Sequence, residues 1–176
     1  MSTLNKSLLA MAIGCALVVS QSLAQQPRLG APINPAELAE VDLIVQSDGS
    51  GLPAGSGSAL QGKAVYERRC QACHGSNGEG ANPSLQLVGG SMQSEGTPIR
   101  TVGSYWPYAT TVFDYVRRAM PADAPKSLTV DEVYQVTAYL LYLNGIIAED
   151  HVLDSRSLPA VQMPNRDGFI DRSTVH

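Results

Sequence analysis

The chain has 176 residues, enough for one domain with extensions, and 44% of its side chains are hydrophobic, enough for a small buried core. Its formal net charge is −4 and no Lys/Arg-rich run occurs, so nothing points to a nucleic-acid partner. Bulk properties leave only a globular protein of unspecified chemistry.

The first segment reads as an export signal. Lys6 supplies a short positive region, Leu8 to Val19 is almost unbroken apolar sequence, and Ser22-Leu23-Ala24 offers small residues at −3 and −1 of a cleavage site. The apolar run is short of the roughly 20 residues a membrane span needs, so an uncleaved anchor is the lesser reading. Lipidation at Cys15 would need a better sequence before it than Ala12-Ile13-Gly14, and a cut there would halve the apolar stretch. Residues 1–24 are therefore expected to be a cleaved signal peptide. The mature chain then starts at Gln25 outside the cytoplasm, with no membrane span. Residues 25–58 form an N-terminal extension, within which Ser47 to Gly57 has the composition of a flexible Gly/Ser linker.

Removal of the signal changes the cysteine arithmetic. Only Cys70 and Cys73 remain, and they stand in Cys70-Gln71-Ala72-Cys73-His74, the spacing of c-type haem attachment. Two thiols one helical turn apart can each form a thioether with a haem vinyl group, and the following His then sits under the iron as its proximal ligand. Two other readings compete. A thioredoxin-like pair needs a βαβ context, whereas the flanks here look helical and then Gly-rich. A structural zinc site needs four N/S ligands, and besides His74 only His151 and His176 remain. One covalent haem c is the expected cofactor.

Around the motif the pattern is helical. Val65, Tyr66, Cys70 and Cys73 recur at spacings of three and four, predicting a helix over Gly62 to Cys73. Gly75-Ser76-Asn77-Gly78-Glu79-Gly80 is a turn-rich stop. A second helix is predicted from Pro107, a good first position, to Ala119, with Tyr108, Val112, Tyr115 and Ala119 on its inner face. Pro121 ends it. A third opens with a capping box, Thr129-Val130-Asp131-Glu132, buries Val133, Val136, Leu140 and Leu143, and stops at Asn144-Gly145. No alternating strand pattern stands out, so the expected fold class is all-α, a helical domain over 59–146 wrapped around one haem. Residues 147–176 form a C-terminal extension. Pro159, Pro164 and Gly168 argue against helix there, while Met163 and Phe169 suggest that part of it packs down.

An electron-transfer haem needs a second axial ligand, and His with Met is the usual pair, the thioether raising the reduction potential. Met120, between the second and third helices and followed by Pro121, is the preferred distal ligand, against the reading that it only plugs the core. Met163 is the runner-up, Met92 lies in a Gly-rich loop, and His151 would give a bis-His haem. Arg117 and Arg118 suit the negative end of the second helix; alternatively, one pairs with a haem propionate or an acidic partner. Tyr105 and Trp106 read either as crevice lining or as ordinary core aromatics.

Gly62, Tyr66, Cys70-x-x-Cys73-His74, Met120-Pro121 and Ala138-Tyr139-Leu140-x-x-Leu143 resemble the class I cytochrome c domain, over residues 60–145. The resemblance implies that Gly62 and Tyr66 pack across the last helix near Tyr139. Four further stretches are similar to the haem subunit of Sox sulfane dehydrogenase, and to cytochromes paired with sulfite dehydrogenases. These are Asp48 to Gly57, Tyr105 to Ala109, Arg117-Arg118-Ala119-Met120-Pro121 and Met163 to Phe169. That likeness implies that residues 48–57 are an ordered lead-in, the alternative to the flexible linker. It also implies a separate molybdenum-containing dehydrogenase subunit that oxidises sulfite or sulfane sulfur, with a downstream cytochrome c taking the electrons. The longer Sox cytochromes carry two haems, whereas one Cys-x-x-Cys-His stands here, so the expected form has a single haem. The chain would be a periplasmic electron-transfer subunit without catalysis of its own. A free periplasmic shuttle, and a haem enzyme or gas sensor with an open distal site, are the other two readings.

Overall fold

The computed structural model describes residues 30–93 and 95–170. The expected signal peptide and His176 lie outside them. The backbone divides into two units, 1–40 and 41–176. Helix α1 (Pro35–Val41) is opened by Asn34, whose Oδ1 accepts from the Ala36 amide at 2.9 Å.

The second unit holds β1 (Ser56–Ser58), α2 (Ala59–Arg69), α3 (Gln71–His74), α4 (Ala109–Ala119), α5 (Val130–Leu143), β2 (Val152–Asp154) and a 3₁₀ turn at Leu158–Ala160. It is mostly helical, as expected, but α2 starts three residues before the predicted Gly62. Ser58 is its N-cap and forms a reciprocal capping box with Gln61, the Ser58 amide donating to Gln61 Oε1 at 3.0 Å. The second helix starts at Ala109 and not at Pro107, because Tyr108 is still extended. Its buried face is Ala109, Val112, Phe113 and Val116, while Tyr115 points outward at 47% exposure and rests edge-on against Trp106. The Thr129 capping box and the Asn144-Gly145 stop stand where the sequence puts them.

The core forms where α2 and α4 pack on α5. Phe113 and Tyr134 meet at 4.5 Å between ring centres, and Tyr66 and Tyr139 at 5.2 Å. Gly62 is where α2 crosses α5: a Cβ there would run into the Gln135 carbonyl and lie 2.9 Å from Tyr139 Cβ. The close approach holds only because position 62 has no side chain.

Two elements were not expected. β1 and β2 pair antiparallel, Ser56 opposite Asp154 and Ser58 opposite Val152. Gly57 lets this short ribbon lie directly on Gln135 of α5. Part of the tail after Gly145 packs down, as expected, burying Leu153, Leu158, Val161 and Met163, whereas Phe169 stays exposed. Of the two readings of residues 47–57, the ordered one holds. Gln46 and Ser50 close a turn at 2.9 Å, the Thr110 hydroxyl donates to Ser47 O at 3.0 Å, and Tyr134 donates to Pro53 O at 2.9 Å.

Asp114 anchors the chain entering this unit. Its Oδ1 accepts from the Val45 amide and from Arg118 Nε, each at 2.9 Å, while Arg117 donates to Leu43 O. Burial opposes the Asp114 charge. The paired Arg118 donors, the Val45 amide and the Arg118 and Arg117 charges outweigh it and hold the carboxyl below its ordinary value. A depressed carboxylate stabilises the fold above its unfolded pKa of about 3.9 and loses that contribution as pH falls through the folded value. Asp114→Asn is therefore expected to lose about 1.5–3 kcal/mol near neutral pH. The loss should shrink below about pH 4. Thermal unfolding of both proteins from pH 3 to 7 checks this; parallel curves would refute it.

Candidate functional site

α2 does not run through the cysteine motif as the periodicity predicts. Cys70 leaves helical geometry (φ −125°, ψ −37°), and the short α3 resumes after it. Backbone bonds keep the motif wound: the Cys70 amide donates to Tyr66 O at 2.8 Å, and those of Cys73 and His74 donate to Cys70 O at 3.2 and 3.0 Å. The two cysteines stand about one turn apart and are not joined to each other, Cys70 half-buried and Cys73 exposed. Burial pushes the Cys70 thiol up to about 11, with Arg69 opposing and Cys73 adding to the rise. Among the described residues, no three His, Cys, Asp or Glu side chains are grouped to hold a metal ion between them.

His74 is half-buried and its ring is oriented by the backbone. Nδ1 lies 2.6 Å from Leu85 O, so the ring N–H donates there and Nε2 keeps its lone pair for a metal. The loop after it makes this possible. Gly75 has φ +79°, where a Cβ would strike the Glu79 carboxylate, and Glu79 accepts from the Asn77 amide at 2.7 Å. The Gly80 amide donates back to His74 O at 2.8 Å, and the Leu87 and Val88 amides donate to Gly78 O. These bonds bring the segment carrying Leu85 alongside His74. Asn144 fastens the same segment from the end of α5, donating to Leu87 O at 3.2 Å and accepting from the Gly89 amide.

Met120 is the C-cap of α4, extended (φ −117°, ψ 149°) and half-buried, and its bond to Pro121 is cis. Leu87, Trp106, Met120, Leu128, Tyr142 and Leu143 all pack on the core yet keep part of their surface open. Met163 is 3% exposed within the core cluster, Met92 is half-buried in its loop, and His151 is exposed. Arg118 is engaged by Asp114, and Arg117 by Leu43 O.

A covalently held haem needs two thiols one turn apart, an imidazole with a free nitrogen, a second soft donor and apolar surface for its faces. The residues present fit each requirement. When bound, the group would supply a one-electron couple. The chain would hold and orient it, shield it from water and tune it.

The roles of Leu85 O and Asn144 left no mark in the sequence, since each depends on how a loop folds back. The tail also reaches this region. Asn165 Nδ2 donates to Tyr105 O at 2.7 Å, Arg166 lies over the Tyr108 ring at 4.2 Å, and Phe169 meets Tyr105 edge-on at 5.2 Å. The likeness of residues 105–109 and 163–169 to one family thus corresponds to two segments in contact.

A family model described as cytochrome c oxidase, cbb3-type, subunit III matches residues 57–140. No match was found among curated proteins. A solved structure, that of the sulfane dehydrogenase SoxCD from Paracoccus pantotrophus, is 40% identical with a TM-score of 0.76. The alignment covers 85% of this chain and 75% of that one.

Proposed function

The chain belongs to the class I c-type cytochromes and resembles the haem subunit of the Sox sulfane dehydrogenase, and from this we propose that it is the single-haem electron-transfer subunit of a molybdenum sulfur-compound dehydrogenase. The observation that carries the reading is the likeness to a dehydrogenase–cytochrome structure through 85% of the chain, well beyond the residues a bare cytochrome domain needs. In this reading Cys70 and Cys73 hold one haem c through thioethers, His74 is the proximal ligand and Met120 the distal one. The half-buried position of Met120 at the end of α4 favours it over Met163, which is enclosed in the core. The protein is exported by cleavage after Ala24 and works in the periplasm, taking electrons released from sulfite or sulfane sulfur and passing them to a downstream cytochrome c. Among the described residues, no helix is long and apolar enough to cross a membrane.

Electron transfer asks little movement of such a site. Rigid fixing of His74 by Leu85 O and of the loop by Asn144 keeps ligation the same in both oxidation states. The test is the molybdenum-to-haem ratio of tagged protein purified gently from its own periplasm. A ratio near one, with haem reduced on adding sulfite or thiosulfate, is the expected result. A ratio near zero would make the protein a free shuttle and remove the dehydrogenase reading.

A further inference from the structure

We infer that Tyr66 is a positioning residue for His74, acting through its hydroxyl on the turn that carries the ligand; this rests on the ligand reading above. The phenol is fully buried and donates to Gly75 O at 2.8 Å, the carbonyl directly after His74. Three bonds fix the His74 turn on its loop side: Nδ1 to Leu85 O, Gly80 N to His74 O, and Tyr66 to Gly75 O. The first two come from the following loop. Only Tyr66 belongs to a long helix, so it ties that turn to the α2–α5 crossing.

The packing role of this side chain needs a ring and no hydroxyl. Tyr66 meets Tyr139 at 5.2 Å, which a phenylalanine would reproduce. A buried hydroxyl costs free energy unless it is bonded, and this one donates to Gly75 O while the Gly78 backbone bonds to its oxygen. Burial raises the Tyr66 pKa well above its ordinary value, with Glu79 and Tyr139 adding to the rise and the Gly78 backbone bond opposing it. The phenol therefore stays a donor at every working pH. Tyr139 serves as a built-in control, since its ring stands in the same stack while its hydroxyl makes no bond to the turn.

The donor restrains His74 and keeps water from its backbone, and hydrogen bonding and solvent exposure both set a haem's potential. In the full-length, haem-loaded protein, Tyr66→Phe is expected to shift the ferrous/ferric equilibrium toward ferric by about two- to tenfold, the range of one net hydrogen bond. Replacing Tyr66 with 3-fluorotyrosine, a more acidic phenol and a stronger donor, should shift it the other way. Tyr139→Phe should match the unaltered protein. Equal potentials for Tyr66→Phe and Tyr139→Phe, or no opposite shift with fluorotyrosine, overturns the inference. An unaltered chain that matures without covalent haem overturns the ligand reading itself, and this inference with it.

Discussion

Replacing Gly62 with valine is expected to destabilise the fold by about 3 kcal/mol or more, the upper range for overpacking a tight contact. The reason is the crossing of α2 over α5, where even a Cβ meets the Gln135 carbonyl, a backbone atom that no rotamer change can move aside. The helices would have to separate, loosening Tyr66 from Tyr139 and Gly57 from Gln135. Against a total stability of roughly 5–15 kcal/mol, this is a large fraction. Gly62→Ala poses the sharper question, because alanine is favoured over glycine inside a helix by about 1 kcal/mol. If the crossing governs, the alanine variant is less stable in denaturant unfolding despite that gain. A more stable Gly62→Ala protein would show that the close approach carries no weight.

Met120→Ala is expected to convert a low-spin ferric spectrum into a high-spin one, lower the reduction potential and open the iron to stoichiometric carbon monoxide binding. In the proposed ligand set the Met120 thioether is the second donor to the iron, and alanine has none to offer in its place. The change should cost little in folding, since Met120 is only half-buried. Met163→Ala is the matched control: its side chain is enclosed in the core, so it should lose about 2–5 kcal/mol of stability while the spectrum stays low-spin. The opposite pattern would transfer the distal role to Met163. A variant of Met120 whose spectrum is untouched would remove it from the ligand set.

How much of this was readable beforehand differs from element to element. The capping box at Thr129 and the stop at Asn144-Gly145 were legible because each is written in residues three or fewer apart. The equivalent box at Ser58-Gln61 is just as local, but the Gly/Ser composition leading up to it masks the signal. Helical spacing predicts Tyr115 on the inner face, where an aromatic at that period usually points. Here it lies against Trp106 and faces solvent.

Two thiols and an imidazole in a five-residue motif, a helical domain around it and a family likeness carried by short runs are all legible before folding. Such features rest on local spacing, which the backbone preserves wherever the chain goes. What surrounds and steadies that motif emerges with the packed fold. Leu85 O on His74, Tyr66 on Gly75, Asn144 on the loop, the β1–β2 ribbon and the tail over Tyr105 and Tyr108 all join residues distant in sequence or answer to backbone atoms. A carbonyl carries no residue identity and a three-residue strand no periodicity, so neither can be read before the chain has closed on itself.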